Sequence, residues 1–415
     1  MVFSEKKYLC FYLVCLFAFQ IRASSGEEPV LTVSVMGHPL LVAVELPDAI
    51  LQPAGSVPVL VNRDCPDTAI GGQIVPAIDS RGLPDPRRRV LLAALPPSRT
   101  NQETAVYLLR WQEPCDGTSP FSFEETNEKT LTLFEDGKPV YAFNHGTILC
   151  DRVPESDGRR TRACYLHPIW GMEGEILTDD FPADHYHHHG IFWTWPHVRI
   201  GEKEYDLWVG VNLRQRFVRW LVRETGPVAA ILAFENGWFI GEKQVVTERV
   251  WVRSFLSRPE SRSLDIAITC IPLEYPITLW GAEGKSYGGM TMRFAKRKNT
   301  VITVPSGKTT EDLMEAKLPW ADFTADFEGA SGPSGAAILI PKEHPAYPPT
   351  WLTRHYGVLC VGYPGPEPTT FTKEEPLRLD YRVWIHKGAA PLDRIEEIYE
   401  GYLKSRAGAV EKDPG

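Results

Sequence analysis

The sequence contains no pair of cysteines spaced as CxxC, which argues against a zinc knuckle built from thiolates. Two of the eight cysteines, Cys10 and Cys15, lie in the N-terminal segment discussed below. The other six are spread along the chain at Cys65, Cys115, Cys150, Cys164, Cys270 and Cys360. In an exported protein some of these could form disulfides. A pairing of Cys150 with Cys164 would close a polar loop between two strand-like segments.

The chain also lacks an excess of positive charge. Its 44 Lys and Arg residues are outnumbered by 53 Asp and Glu residues, which gives a formal net charge of −9. Nucleic acids and anionic membrane surfaces attract basic proteins, so this balance disfavours both as partners. The basic clusters 87–89 and 159–162 lie in Pro-, Gly- and Asp-rich contexts that are typical of solvated loops. We therefore expect no nucleic-acid partner.

Long hydrophobic runs are confined to the start of the chain. Lys6 and Lys7 supply a basic beginning, residues 8–21 are apolar, and small residues follow at 23–25. This order is typical of a secretory signal peptide, which we place at 1–25. We therefore expect a secreted or periplasmic protein. No later segment is long and apolar enough to cross a bilayer, so we expect no membrane span after the signal.

Most of the sequence has the pattern of short strands. From 27 to 115, apolar strands alternate with Pro and Gly breaks, which predicts a small Pro-rich β-sandwich. From 120 to 405, longer strand patterns predict a large antiparallel β-sandwich, with a hairpin at Asp136-Gly137. Helical spacing of apolar residues appears at 391–405, and we expect a flexible tail at 406–415. The predicted fold class is all-β with a C-terminal helix.

A cluster of four histidines is the strongest sign of chemistry in the chain. They lie in the run DHYHHHG at 184–190, which an aromatic segment follows. An extended strand would separate the side chains onto two faces. One face would carry His185, His187 and His189, and the other would carry Asp184, Tyr186 and His188. Because imidazole titrates near pH 6.5, such a cluster suits proton transfer.

Three interpretations of the cluster remain open at this stage. The HxH pair His185 and His187 could bind a divalent metal, with a third ligand from elsewhere, such as His167, Glu173 or His344. The histidines could instead be structural and stack on Trp193 and Trp195. Our main expectation is a site without a cofactor, in which one histidine transfers a proton or binds substrate hydroxyls.

Aromatic and cationic residues supply candidate binding groups. Flat indoles beside polar groups suit sugar rings, and Trp193 is a candidate of this kind. Arg293 interrupts an apolar strand, so it needs a carboxylate partner or an oxygen-rich ligand. The Pro-rich loop that begins at His344 leads to Trp351 and Arg354, and ordered loops on β scaffolds often carry binding sites.

Longer motifs show a resemblance to a known family. The segments HPIWGMEGEILTDDFPADHYHHHG, WADFTADFEG, YGGMTMRFA, PTWLTRHYG and LRLDYRVWIHKG resemble, in the same order, the secreted bacterial domain labelled methane oxygenase PmoA-like. The resemblance covers about residues 120–405. It implies a β-supersandwich similar to that of galactose mutarotases. The site residues that it implies are His167, Asp184, His185, His187, His188, Arg293, His344 and Trp351. Many relatives have Arg where this chain has His189.

The name of the resembling family does not by itself establish the activity of this protein. The methane monooxygenase subunit of that name lies in a membrane, whereas this chain has no spanning segment after its signal. We therefore predict a secreted carbohydrate-active enzyme, a hydrolase, lyase or epimerase that acts on a sugar or glycan. One of His185 and His188 would be the acid or base, with Asp184 and His187 beside it.

The remaining candidates bind the substrate. Oxygen atoms would be held by His167, Arg293, His344 and Arg354, and sugar rings would stack on Trp193 and Trp351. Glu173 or Glu248 could supply a further carboxylate. Two alternatives from other classes are a non-catalytic glycan-binding protein on the same scaffold and a metal-dependent enzyme with His185 and His187 as ligands.

Overall fold

The computed structural model describes residues 20–22, 29–34, 40–67, 69–97, 104–114 and 119–407. The predicted signal peptide at 1–25 lies outside the described residues except for Gln20–Arg22. Of the predicted flexible tail at 406–415, residues 408–415 lie outside them as well, whereas Arg406 belongs to the final helix. Within the described chain, strands are the main element, and the predicted all-β class with a C-terminal helix is confirmed.

The N-terminal part of the chain forms one seven-stranded antiparallel sheet, in the order β1-β2-β7-β4-β5-β6-β3. Its strands are β1 (Gln20–Arg22), β2 (Val30–Ser34), β3 (Leu40–Leu46), β4 (Val57–Asn62), β5 (Ala69–Ile78), β6 (Pro84–Leu95) and β7 (Thr104–Gln112). Strand β5 pairs with β4 up to Gly71 and with β6 from Gly72 onward. The sheet therefore folds over into two layers, which enclose a core that includes Leu60, Leu91 and Leu109.

The rest of the chain contributes twenty-four strands and one α-helix to the described structure. The first twelve are β8 (Phe121–Asn127), β9 (Thr130–Glu135), β10 (Lys138–Asn144), β11 (Ile148–Leu149), β12 (Thr161–Arg162), β13 (Tyr165–Ile169), β14 (Ile191–Thr194), β15 (His197–Ile200), β16 (Lys203–Tyr205), β17 (Arg214–Thr225), β18 (Ala229–Ile240) and β19 (Lys243–Phe255). The others are β20 (Ser261–Pro272), β21 (Ile277–Trp280), β22 (Gly289–Arg293), β23 (Arg297–Val304), β24 (Gly307–Thr309), β25 (Met314–Lys317), β26 (Trp320–Phe327), β27 (Ser334–Leu339), β28 (Thr350–Arg354), β29 (Val358–Gly362), β30 (Thr369–Phe371) and β31 (Leu377–Lys387), and α1 (Leu392–Ala407) follows them.

Two nine-stranded antiparallel sheets make up the body of the molecule. Sheet A has the order β25-β28-β29-β22-β14-β13-β10-β9-β8, and sheet B has the order β17-β18-β19-β20-β31-β27-β26-β23-β24. Aromatic rings from the two sheets meet between them. Phe143 of β10 stacks on Phe234 of β18 at 3.9 Å between centroids, and Phe294, beside β22, stacks on Phe323 of β26 at 4.0 Å. The predicted large antiparallel sandwich is confirmed.

Alternation along the strands decides which residues enter this core. In β19, Val250 and Val252 lie in the core between the sheets, whereas Trp251 points to the outer face of sheet B. The N-terminal sheet covers that outer face, where Trp251 packs with Val75 and Leu92. Trp251 also donates a hydrogen bond of 2.8 Å to the Gly82 carbonyl. Sheet B is therefore buried on both faces along β18 and β19.

The helix α1 covers another part of the same outer face. It begins one residue later and ends two residues later than the predicted 391–405. Three residues of its apolar stripe, Ile395, Tyr399 and Tyr402, are buried against a cluster that includes Trp320 and Trp384. No helix within the described ranges has the length and apolar content needed to cross a membrane.

The possible disulfide between Cys150 and Cys164 is absent, because both thiols are free and buried. Strands β11 and β12 pair Ile148 with Arg162 and Leu149 with Thr161. The next pair in this register joins Cys150 to Arg160, whose carbonyl accepts the Cys150 N–H at 3.0 Å. Cys164 is four residues out of register, so a disulfide would require the hairpin to shift.

The predicted hairpin at Asp136-Gly137 joins β9 to β10. Both turn residues have positive φ angles, 48° for Asp136 and 73° for Gly137, which is the geometry of a type I′ turn. Glu135 and Lys138 close the turn as paired strand residues.

Substitution Gly137→Ala should lower the free energy of unfolding by about 1–2 kcal/mol, because an L-residue is strained at this φ angle. No atom lies within 4 Å of the added Cβ, so the cost comes from the backbone alone. The matched control is Gly71→Ala, where the Cβ also has open space and φ is not positive. Chemical denaturation measures both, and equal effects of the two substitutions would contradict the turn assignment.

Candidate functional site

The histidine run forms a compact loop rather than a strand, so the predicted alternation of its side chains is wrong. The His185 N–H donates to the Pro182 carbonyl at 3.0 Å, and the His188 N–H donates to the His185 carbonyl at 2.9 Å. Two successive turns therefore replace extended backbone between 182 and 188. A β-bridge between Asp180 and His189 closes the base of this loop.

Gly190 fixes the point at which the loop rejoins sheet A. A Cβ on this residue would lie 2.0 Å from the Leu166 carbonyl oxygen of β13. Only glycine allows the two backbones to approach so closely, because any side chain would overlap the oxygen atom. Strand β14 begins at the next residue, Ile191, which pairs with Leu166.

Three aromatic rings stack in parallel above the loop. The His185 ring lies between Tyr356 and His188, at 5.2 Å and 4.6 Å between centroids, with interplanar angles of 5° and 6°. The His187 ring meets His188 edge-on at 4.7 Å, and Trp208 meets His188 edge-on at 5.8 Å. His185, His187 and His188 therefore share one cluster, whereas strand alternation would have separated them.

Arg293 anchors the loop through Asp184. Its Nη2 donates to both carboxylate oxygens, at 2.8 Å and 3.0 Å, and its guanidinium lies 5.0 Å from the centre of the Tyr356 ring. The requirement that Arg293 have a carboxylate partner is met in this way. Its Nε and Nη1 are buried without a hydrogen-bond acceptor. Two strong donors thus remain available beside the ring stack.

The Asp184 carboxylate also contacts His185. The His185 Nδ1 lies 3.0 Å from Asp184 Oδ2, within ion-pair distance, although the angle falls short of an aligned hydrogen bond. Partial burial works against the charged carboxylate, but His185 and Arg293 outweigh it and lower the pKa of Asp184. Both side chains reach solvent, with 35% of His185 and 46% of Asp184 exposed.

His189 lies below the cluster and has a different environment. It is buried, and its Nδ1 lies 2.7 Å from Asp180 Oδ1, while the Tyr165 hydroxyl donates to Asp180 Oδ2 at 2.7 Å. Burial raises the pKa of Asp180 to about 6. It also lowers the pKa of His189 well below its ordinary value. These contacts hold the base of the loop together.

His167 belongs to this lower layer as well. Its Nδ1 is 3.0 Å from the Thr178 hydroxyl, which also accepts the Ile169 N–H. Burial lowers the pKa of His167, so the ring is neutral near pH 7. The structure places it behind the loop rather than in the exposed cluster.

Two histidines of the cluster are neutral over a wide pH range. Burial, followed by the nearby charges of His185 and Arg159, lowers the pKa of His187 to about 3. Burial and the neighbouring His187 lower the pKa of His188 well below its ordinary value. The Nδ1 atoms of both rings are buried without a partner. Neutral imidazoles of this kind can accept hydrogen bonds or bind a metal.

The number of ligands does not fit the metal alternative of His185 and His187, whose ring centroids lie 5.6 Å apart at an interplanar angle of 79°. Among the residues that the structure describes, no group of three or more His, Cys, Asp or Glu side chains is arranged to hold a metal ion. His185 and His187 therefore lack the third ligand that the HxH interpretation requires.

Several predicted binding residues lie away from the cluster. Trp193 and Trp351 are fully buried between the sheets, so neither can stack on a ligand, contrary to the prediction. His344 packs against Tyr363 and Tyr381. Tyr363 follows the end of β29, whereas Tyr356 precedes its beginning, so His344 is at the opposite end of the strand. Burial lowers the pKa of His344 to about 4.

The other three candidates are also engaged elsewhere. Arg354 ends β28 near Tyr356, and its Nη1 is 3.8 Å from Asp312 Oδ2. Glu173 binds Lys387 and Ser331, whose hydrogen bonds lower the pKa of its carboxyl to about 2. Glu248 is fully buried and accepts from Gln215, Asn236 and Trp238 in the core. Neither carboxylate belongs to the histidine cluster.

Tyr356 and Asp180 belong to the site but were not among the residues predicted from the sequence. Tyr356 lies in the turn between β28 and β29, and the signal for it was the short HYG sequence between two apolar strands. Asp180 belongs to the DD pair that precedes the histidine run. Trp208, whose ring meets His188 edge-on, was not among the predicted site residues either.

The fold and the site together define a two-sheet β-sandwich protein that carries a histidine-rich loop at the end of one sheet. The chain belongs to the Family of unknown function (DUF6807), whose model matches residues 130–400, more than half of the sequence. This range includes the loop, Arg293 and Tyr356. No match is found among curated proteins.

Stability should depend on pH through His187. Its pKa is about 3 in the folded protein and 6.5 ordinarily, so its contribution is present above pH 6.5 and lost as the pH falls. Between pH 7 and pH 5 this loss is about 2 kcal/mol, at roughly 1.4 kcal/mol for each pKa unit. In His187→Gln, the decrease in the free energy of unfolding over that interval should be smaller by this amount.

Chemical denaturation at the two pH values measures this difference. The control Tyr186→Phe alters the same loop without removing an imidazole and should retain the wild-type dependence. An equal decrease in His187→Gln and the wild-type protein would show that the His187 ring is not held neutral in the fold.

Proposed function

We propose that this protein is a carbohydrate-active enzyme in which His185 transfers a proton and Asp184 orients its ring. The observation that carries the proposal is the contact of one carboxylate with both His185 and Arg293 at a surface that solvent reaches. A proton-transfer group must be accessible to the substrate, and a neighbouring carboxylate can orient it. Within the cluster, His185 meets both requirements, since its Nδ1 lies 3.0 Å from Asp184 and 35% of its side chain is exposed, whereas His188 is buried.

Arg293 supplies the substrate contact in this proposal. Because only Nη2 is engaged by Asp184, the Nε–H and Nη1–H groups remain for an oxygen atom of the substrate. Buried donors without an acceptor are costly, and a bound hydroxyl or carboxylate would remove that cost. The substrate oxygen would then lie beside the Tyr356 ring, which is 40% exposed.

His187 and His188 act as acceptors in the same site. Both are neutral at pH 7, and their buried Nδ1 atoms lack a hydrogen-bond partner, so hydroxyls of a sugar that enters the cluster would donate to them. Substrate oxygens thus meet donors from Arg293 and acceptors from the two imidazoles. This mixture of donors and acceptors suits a hydroxyl-rich ligand, since each hydroxyl both donates and accepts.

The wider setting also supports sugar chemistry. The resemblance to the PmoA-like domain implies a scaffold similar to that of galactose mutarotases, and the sequence at 1–25 has the pattern of a signal peptide. We propose a secreted or periplasmic protein on these grounds. The reaction would be hydrolysis, elimination or epimerisation, since each requires a positioned acid or base.

A non-catalytic glycan-binding protein is the second candidate. The exposed Tyr356 ring favours it, because an aromatic side chain beside a guanidinium is a platform on which a sugar ring can stack. Binding alone would need no proton transfer, and the low pKa values of His187 and His188 would be no disadvantage.

Replacement of the proposed acid or base should abolish turnover without unfolding the protein. On a panel of neutral, acidic and sulfated oligosaccharides analysed by mass spectrometry, His185→Ala should lower kcat by about 10²–10⁴-fold, the usual range for loss of general acid–base catalysis. Asp184→Asn should lower kcat less, because the imidazole remains. His188→Ala should weaken substrate binding more than it lowers kcat.

The matched control is His197→Gln, which removes a histidine that pairs with Glu204 away from the loop. It should keep wild-type turnover. Normal turnover by folded His185→Ala would refute the catalytic role. Calorimetric affinity for a sugar without any product from the wild-type protein would instead favour the glycan-binding candidate, and the absence of both would refute both proposals.

A further inference from the structure

A polar cavity lies beside the histidine loop, and its lining includes none of the clustered histidines described above. Its volume is about 290 Å³, and its wall includes Arg162, Arg214, Gln215 and Arg216. At about 30 Å³ for each water molecule, the cavity has room for about ten waters, or for a ligand of about that size. Three arginines therefore line a small space.

The buried side chain of Arg162 is the unusual feature of this cavity. Only 8% of the residue is exposed. Its Nη1 donates to the Leu207 carbonyl at 3.2 Å, and its Nη2 donates to Gln215 Oε1 at 3.3 Å. Both acceptors are neutral, and the Nε–H has no acceptor. Burial lowers the pKa of Arg162 to about 10, which still leaves it charged at neutral pH.

An unpaired buried cation is costly unless a charge of opposite sign compensates it. Within the described chain, Glu248 compensates the charge of Arg162 only indirectly, through Gln215. Gln215, which accepts from Arg162, donates to the buried Glu248 at 2.8 Å. The amide separates the two charges, so Glu248 does not contact the guanidinium directly.

The other two arginines differ in their partners. Arg214 donates to the Thr161 hydroxyl at 2.7 Å and to the carbonyls of Gly158 and Val211 at 3.1 Å and 3.3 Å, which are all neutral. Arg216 instead pairs with the Glu242 carboxylate at 2.8 Å. Arg162 and Arg214 thus form no ion pair with a carboxylate among the residues that the structure describes, whereas Arg216 is neutralised.

Gly210 leaves space on the wall that Arg162 occupies. A Cβ on this glycine would lie 2.7 Å from Arg162 Nη1, so the absence of a side chain leaves room for the guanidinium in the wall of the cavity. Gly210 has a φ of 71°, which also favours glycine. The backbone at this point therefore allows a close approach to the charge.

We propose that this cavity binds the oxyanion group of a small ligand, a carboxylate or a sulfate, through Arg162 and Arg214. A guanidinium presents parallel N–H donors that match two oxygens of either group. The volume suits a ligand up to about the size of one sugar acid or one sulfated sugar unit. This site is separate from the Asp184–His185 pair, since neither of these residues lines the cavity.

Calorimetry on the full-length protein tests the proposal, with sodium sulfate, sodium acetate and sodium glucuronate as probes in a chloride buffer of matched ionic strength. At least one probe should bind with a Kd below about 1 mM, and Arg162→Gln should weaken binding by about tenfold or more, as expected for loss of a charge-assisted contact. Sulfate and carboxylate probes that differ in affinity identify the preferred group.

Two further variants provide a second test of the proposal and a matched control. Arg214→Gln should weaken binding by about threefold or more and replaces Arg162→Gln if that variant does not fold. The matched control is Arg216→Gln, which should change Kd by less than about twofold because Glu242 already neutralises this side chain. Equal effects of all three substitutions, or no binding of any probe, would refute the proposal.

Two substitutions in the histidine site separate this proposal from the catalytic one. Arg293→Gln and His185→Ala should both leave the affinity for the anion unchanged. Loss of binding in either variant would place the anion at the histidine cluster and refute the cavity as its site. Failure of the proposed enzymatic function would leave this measurement unaffected.

Discussion

Antiparallel pairing within sheet A is the constraint on which the candidate site depends. Strands β13, β14, β22 and β29 are successive neighbours, and each runs opposite to the next. One end of the sheet therefore holds the last residues of β13 and β22 and the first residues of β14 and β29. Arg293 ends β22, Tyr356 precedes β29, and the histidine loop joins β13 to β14. Residues that are up to 172 positions apart in the sequence meet because of this order.

Because the space between the two sheets is apolar, charged side chains that bind or react are favoured at the ends of the strands. The space between the sheets is filled by aliphatic and aromatic side chains, so a charged group there needs several hydrogen bonds. Glu248 shows what this requires, because it accepts from Gln215, Asn236 and Trp238, while burial still raises its pKa. A carboxylate held in this way suits a structural role. Asp184, by contrast, lies in the loop at the ends of the strands, where solvent reaches its carboxylate.

Local signals in the sequence predicted the elements of the fold but not the conformation of the loop. The strands, the Asp136-Gly137 turn and the C-terminal helix follow from patterns of a few neighbouring residues. The histidine run lacks such a pattern, and its alternation holds only for extended backbone, which the turns at Pro182 and His185 interrupt. The positions of Trp193, Trp351 and His344 depend on strand order and register, which the sequence of one chain does not reveal. The partner of Arg293 was predictable in kind, since burial demands a carboxylate, but not in identity.

The four histidines of the run form two layers with different physical roles. His189 is buried with Asp180 and Tyr165, and it closes the base of the loop. Above it, His187 and His188 are kept neutral by burial and by the positive charges around them. His185 differs from the other three because it contacts a charged carboxylate and reaches solvent. Proton transfer requires both an exchangeable proton and access to a substrate, and His185 combines the contact with Asp184 with a side chain that is 35% exposed. The other histidines of the loop help to fix the position of His185, because its ring is stacked between the rings of His188 and Tyr356.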